Sequence, residues 1–196
     1  MTTVRQIQRL WAGKAFDKLL QLLLLPRAEG SERLLTELTG RVAAAALVVI
    51  RLDEMSQSFA PLYSEAVRAV LTGQLPDGGW GDPMLTALCV RALMCGRGHG
   101  QAIDRGLQYL GTLQKDEGLW PNPPVRRLPS DPFVSAFVLM QLGNVEPFRD
   151  AVRLADAVEW FDRNDLALDG ETRRLWSHAA HRCRTPTGRP TEWTAA

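Results

Sequence analysis

The sequence predicts an all-α protein assembled from repeated αα-hairpins, and three observations carry that expectation. Apolar residues recur at helical spacing along nearly the whole chain, and strand signals are almost absent. Gly, Pro and Asp punctuate the pattern every twelve to twenty residues, as helix–turn–helix units require. Finally, "QLPDGGW" (Gln74 to Trp80) returns as "QKDEGLW" (Gln114 to Trp120), forty positions later. A two-helix unit repeating at about that period is the signature of a stacked hairpin array.

The spacing predicts about eight helices, at 3–25, 31–55, 62–73, 83–96, 100–114, 131–143, 147–163 and 170–182. The first opens amphipathically and ends in "LLQLLLL" (Leu19 to Leu25). That run is too short to span a bilayer and reads as a buried helix end or a partner surface. The second contains "GRVAAAALVVIRLDE" (Gly40 to Glu54), which fits an early second-helix copy. The helices at 62–73 and 100–114 are the amphipathic first helices of two hairpins, each leading into a Gln–Gly–Trp turn. Those at 83–96 and 131–143 begin with Asp-Pro (Asp82–Pro83 and Asp131–Pro132). Asp can cap free N–H groups, and Pro at the first helical position gives up an N–H that has no partner. The last two helices form a worn third copy, in which Asp165, Asp169 and Glu171 replace the Gln, Gly and Trp. Three regions follow: N-terminal helices over 1–60, hairpin repeats over 61–183, and a polar tail over 184–196. The tail, with Trp193, is expected to be disordered.

Composition narrows the function. A chain of 196 residues has room for one domain with a sizeable core. The formal charge is +1, with 20 Arg and three Lys. The basic cluster Arg173, Arg174, Arg182, Arg184 and Arg189 has no aromatic ladder beside it, so nucleic acid is not an expected partner. Cys89, Cys95 and Cys183 are odd in number and lack CxxC spacing, which fits reduced thiols and a cytoplasmic location. No signal-peptide core or transmembrane run is recognisable.

"RGLQYLGTLQKDEGLW" (Arg105 to Trp120) resembles the QW repeat of terpenoid cyclases such as squalene–hopene cyclase, at every position of that pattern. "EAVRAVLTGQLPDGGW" (Glu65 to Trp80) matches from Gln74 onward and loosely before. Protein prenyltransferase β subunits are built on the same αα-toroid. The resemblance covers about residues 62–182 and implies a partial α/α toroid, with Gln74, Gly78, Trp80, Gln114, Gly118 and Trp120 as structural staples between hairpins. Physical chemistry agrees. Gln offers a donor and acceptors to a turn, Gly permits unusual backbone angles, and Trp buries a large surface.

The family's catalytic motifs are harder to find. "DRND" (Asp162 to Asp165) and "DLALD" (Asp165 to Asp169) lack the DxDD spacing, no adjacent Asp pair offers a magnesium site, and no Asp-x-Cys offers a zinc site. Asp82 and Asp131 are the candidate acids, weighed against plain helix caps. His178, His181 and Cys183 in "HAAHRC" are the candidate metal ligands, weighed against ordinary polar residues of a terminal helix; no cofactor is expected. Met84, Leu88, Phe133, Phe137 and Met140 form a stripe that fits an apolar ligand pocket or plain core. Thr86/Ser135 match between copies, and Arg126 and Arg127, in the insert "PNPPVRRLP", are its candidates for holding a phosphate. His99 reads as a loop residue.

A full ring of the family uses about twelve helices, so an array of about eight leaves end hairpins with uncovered apolar faces. The expected function is therefore a reduced, non-catalytic relative that binds a partner protein or an apolar, isoprenoid-like ligand in its concave face, with a protein partner or self-association covering the exposed end hairpins. The alternatives are an isoprenoid-processing enzyme or enzyme subunit, and a purely structural scaffold.

Overall fold

The computed structural model describes residues 3–28 and 32–185. Among these residues there are eleven α-helices, one 3₁₀ turn and no strand; the sole pairing of strand type described is an isolated antiparallel bridge between Pro121 and Ser130. The all-α expectation holds. No helix of the described residues is long and apolar enough to cross a membrane. Trp193 and the tail from 186 onward lie outside the described residues.

The chain divides into two compact units, Met1–Leu110 and Gly111–Ala196. The first opens with α1 (Val4–Ala12), α2 (Phe16–Ala28), α3 (Glu32–Glu37) and α4 (Gly40–Glu54). Then come α5 (Pro61–Thr72) and α6 (Pro83–Leu93). The division falls inside α7 (Gly100–Leu113). In the second unit stand α8 (Pro132–Leu142), α9 (Glu146–Ala151), α10 (Leu154–Asn164), the 3₁₀ turn Asp165–Ala167 and α11 (Gly170–Arg184).

Eleven helices rather than eight follow from three breaks. The segment expected as one helix over 3–25 splits where Lys14 takes a left-handed conformation (φ 52°) after Gly13. The segment over 31–55 splits before Gly40 (φ +80°), and the one over 147–163 splits at Val152, which is extended (φ −132°, ψ 161°). Each break lets two short apolar faces turn independently toward the core, which one straight helix would not do.

In the first unit α4 is central, packing on α2, α5 and α6. Every residue from Ala43 to Ile50 is buried. Four consecutive alanines there remove side-chain bulk, so neighbours can approach on all sides. Leu19, Leu20, Leu23 and Leu24 are buried too, so the Leu-rich run faces the interior over those positions. Trp11 closes this end, its indole N–H donating to Glu65 Oε1 (2.8 Å). In the second unit the main pairing is α8 with α11, and α10 also packs on α11. Phe133, Phe137, Phe148 and Phe161 are fully buried there, and Phe161 stacks on Trp176 at 4.4 Å between ring centroids.

Candidate functional site

The two Gln–Gly–Trp turns have nearly the same bonding. Leu75 N–H donates to Gly79 O (2.9 Å) and Gly78 N–H to Leu75 O (3.0 Å); Lys115 N–H to Leu119 O (2.8 Å) and Gly118 N–H to Lys115 O (2.9 Å) repeat the pair. Gln74 Nε2 donates across its turn to Gly78 O (2.9 Å), and Gln114 Nε2 to Gly118 O (2.8 Å).

Each Gln also reaches the first helix of the next hairpin. Gln74 Nε2 donates to Ala102 O (2.8 Å), in the first turn of α7. Gln114 Nε2 donates to Arg153 O (3.3 Å), just before α10, and its Oε1 accepts from Arg153 N–H (2.8 Å). A basic side chain answers from the next helix in each case: Arg105 donates to Leu75 O (2.8 Å), and Arg153 donates to Lys115 O.

The glycines make this approach possible. Gly78 (φ +92°) and Gly118 (φ +85°) occupy the left-handed region. A Cβ on Gly78 would lie 2.6 Å from Arg105 O, and one on Gly118 would lie 2.3 Å from Ala157 N. The next helix therefore packs directly on the turn backbone, and no other residue fits both the angles and the space. Trp80 is 4% exposed and its indole N–H donates to Val70 O (2.7 Å). Trp120 is fully buried and stacks on Phe148.

The hydroxyls that match between copies hold the turns. Thr86 Oγ1 accepts from Trp80 N–H (3.0 Å) and Ser135 Oγ from Trp120 N–H (2.9 Å). Asp82 Oδ1 accepts from Leu85 N–H (2.8 Å), and Asp131 Oδ1 from Phe133 and Val134 N–H (3.0 and 3.3 Å). Both carboxylates are thus helix caps. Asp82 differs in one respect. Burial raises its carboxyl above the ordinary Asp value, Glu37 adds to the rise, and the N–H groups of Leu85 and Met84 oppose it.

The remaining candidates are placed as follows. Met84, Leu88, Phe133 and Phe137 are buried, and Met140 is half-buried. His178 and His181 are exposed while Cys183 is buried, and among the described residues no group of three His, Cys, Asp or Glu side chains could hold a metal ion. Burial pushes the Cys183 thiol up to about 11, against the pull of Arg149, Arg184 and Arg182. Arg126 pairs with Asp116 (3.3 Å), which Arg153 also approaches (3.5 Å). The insert is fastened by Lys115 Nζ, which donates to Leu128 O (3.0 Å). His99 lies between α6 and α7, its carbonyl accepting from Ile103 N–H (3.1 Å). Arg149 joins the functional residues only in the structure, where its guanidinium donates to the carbonyls of Gly143, Arg182, Cys183 and Thr185 (2.8–3.0 Å). A cation serving helix ends distant in sequence leaves no local signal.

In the third hairpin the turn is lost. α10 runs into the 3₁₀ turn Asp165–Ala167, and Asp169 caps α11 through Glu171 and Thr172 N–H (both 2.9 Å). An open-sided groove of about 570 Å³ lies along α10 and the end of α11, lined by Leu154, Ala155, Val158, Asp162, Cys183 and Arg184 among others.

No protein-family model matches the chain, and no solved structure does. Among curated proteins, the chloroplastic ent-kaurene synthase CPS/KS of Physcomitrium patens is 32% identical over 71 residues. The match covers 32% of this chain and 8% of that protein, so the chain spans only a small part of the relative's length. The similarity is to a terpene synthase, and is weak and local.

Proposed function

We propose that this chain is a reduced terpenoid-cyclase-like αα-toroid module, which holds a partner protein or an apolar, isoprenoid-like ligand in its concave face without transforming it. The observation carrying the reading is what the repeated residues do. Gln74/Gln114, Gly78/Gly118, Thr86/Ser135 and Asp82/Asp131 recur between copies, and each has a bond or close contact within the hairpin array. Groups used in this way bind a fold together; their recurrence needs no shared chemistry to explain it. The short similarity to a terpene synthase supports an isoprenoid-related origin. A cytoplasmic setting accords with three free thiols.

A second reading has one specific observation behind it. A buried carboxyl raised above its ordinary value is the property a general acid needs, and Asp82 has it. On that reading the chain is an isoprenoid-processing enzyme or one subunit of it.

Thermal denaturation with geranylgeranyl diphosphate and with squalene, followed by mass spectrometry of the mixtures, separates the two. Stabilisation without product is the expected outcome. Product formation that Asp82→Asn abolishes would replace the binding reading with the enzymatic one.

A further inference from the structure

Between α6 and α7 the chain runs "GRGHG" over 96–100, which sets Arg97 and His99 among three glycines directly before a helix of 14 residues. The first N–H groups of a helix lack intrahelical partners. Ile103 N–H donates to His99 O (3.1 Å), so the N–H groups of Gly100, Gln101 and Ala102 are those that point out of the end of α7, and its first turn carries no acidic side chain. Gly98 (φ +83°) and Gly100 have nothing within 4 Å of the place a Cβ would occupy, so this end meets open space. Beside it stands a hydroxyl that needs a partner. Tyr63, in the first turn of α5, is 8% exposed, and its hydroxyl is buried without a hydrogen bond among the described residues. A buried polar group in that state costs stability unless something occupies it. A Cβ on Gly96 would lie 3.4 Å from that hydroxyl and 3.3 Å from His99 Nε2, so both polar atoms face one point of the loop. Burial, with Cys95 and Asp53 adding to it, pushes the Tyr63 phenol up to about 12; it keeps its proton and serves as a donor. Asp53 itself accepts from the Ser58 hydroxyl (3.1 Å).

We propose that this loop and the start of α7 hold a phosphoryl group, free or as the head of a prenyl diphosphate. The N–H groups of α7 and the exposed Arg97 guanidinium meet it at the open end. The Tyr63 hydroxyl and His99 Nε2 meet it where the loop adjoins α5. A helix start free of acids favours an anion, and a phosphate has enough oxygens to accept from donors on both sides, which a carboxylate has not. Every residue of the site belongs to the unit Met1–Leu110. The site stands apart from the concave-face reading and supplies a polar contact that reading lacks.

Isothermal titration of the full chain with pyrophosphate and with acetate tests this. Pyrophosphate should bind saturably, in roughly the millimolar range or tighter, and acetate should not. Tyr63→Phe removes only a hydroxyl that has no partner in the free protein. Thermal stability should therefore hold or rise while the affinity for pyrophosphate falls about tenfold. Arg97→Gln should weaken binding and flatten its dependence on salt, whereas Arg68→Gln, at an exposed position of α5, should leave the affinity unchanged. Absence of saturable pyrophosphate binding overturns the proposal, as does equal binding of acetate or an affinity indifferent to both Tyr63→Phe and Arg97→Gln. Geranylgeranyl diphosphate binding more tightly than pyrophosphate identifies a prenyl diphosphate as the source of the group, and equal affinities identify free phosphate. Binding of geranylgeraniol without pyrophosphate would sink this inference and spare the apolar-ligand reading; binding of pyrophosphate with no prenyl ligand would do the reverse.

Discussion

At the scale of single residues, the turns make sharp and opposed predictions. Gly118→Ala and Gly78→Ala each combine left-handed strain with a Cβ driven into neighbouring backbone, so each should cost roughly 2 kcal/mol or more in urea denaturation. Gly100→Ala, at the start of α7 with open space around its Cβ, should be neutral or slightly stabilising. Equal effects at all three sites would refute the close-approach argument. Asp82 predicts a pH effect. Its folded carboxyl is raised, so the unfolded chain releases the proton first as pH rises. Between the two values the folded state holds more protons, and stability must fall with increasing pH across the window just above the ordinary Asp value. Asparagine also caps helices well, so Asp82→Asn should keep the fold while flattening that slope. Denaturation midpoints through the acidic range, compared between the two proteins, measure it; parallel curves would remove Asp82 as the source.

At the scale of elements, Arg149 connects the end of α8 to the end of α11. The last carbonyls of a helix lack intrahelical partners, and one guanidinium supplies donors to several of them here. Arg149→Ala should therefore cost about 2 kcal/mol, and Arg149→Lys should recover little, because an ammonium lacks the planar fork. Faster amide exchange confined to the last turn of α11 would identify the cause. What the sequence disclosed at this level follows the range of each interaction. Asp-Pro starts and Gln–Gly–Trp turns are local, so Asp82, Asp131, Gly78 and Gly118 could be read directly. The breaks after Gly13, before Gly40 and at Val152 could not, because helix-forming residues continue on both sides and packing decides where each face must point. The Thr86 and Ser135 hydroxyls were visible as a match between copies, but their acceptor role depends on the turn folding back over the helix start. The chemistry of Asp82 was ambiguous for a different reason: capping and acid catalysis ask for the same residue in nearly the same place.

At the scale of the molecule, burial predicts where opening is hardest. Within the unit Met1–Leu110, α4 has eight consecutive buried residues and packs on three helices. Within the other, α8 is buried from Phe133 to Leu139. Native-state hydrogen exchange should find the slowest amides of each unit in these two helices, and the fast ones in α1 and around Leu166, which is 94% exposed. An α4 that exchanges as quickly as α1 would contradict this. The direction in which the glutamines reach has its own consequence for how the chain can be shortened. Gln74 and Gln114 both extend toward the hairpin that follows, never toward the one before. Trimming from the carboxyl end would therefore unfasten the corner left behind, as a zip opens from its last tooth. A cut after Leu142 would strip Gln114 of Arg153 and leave Gly118 bare, so damage should travel inward from that side.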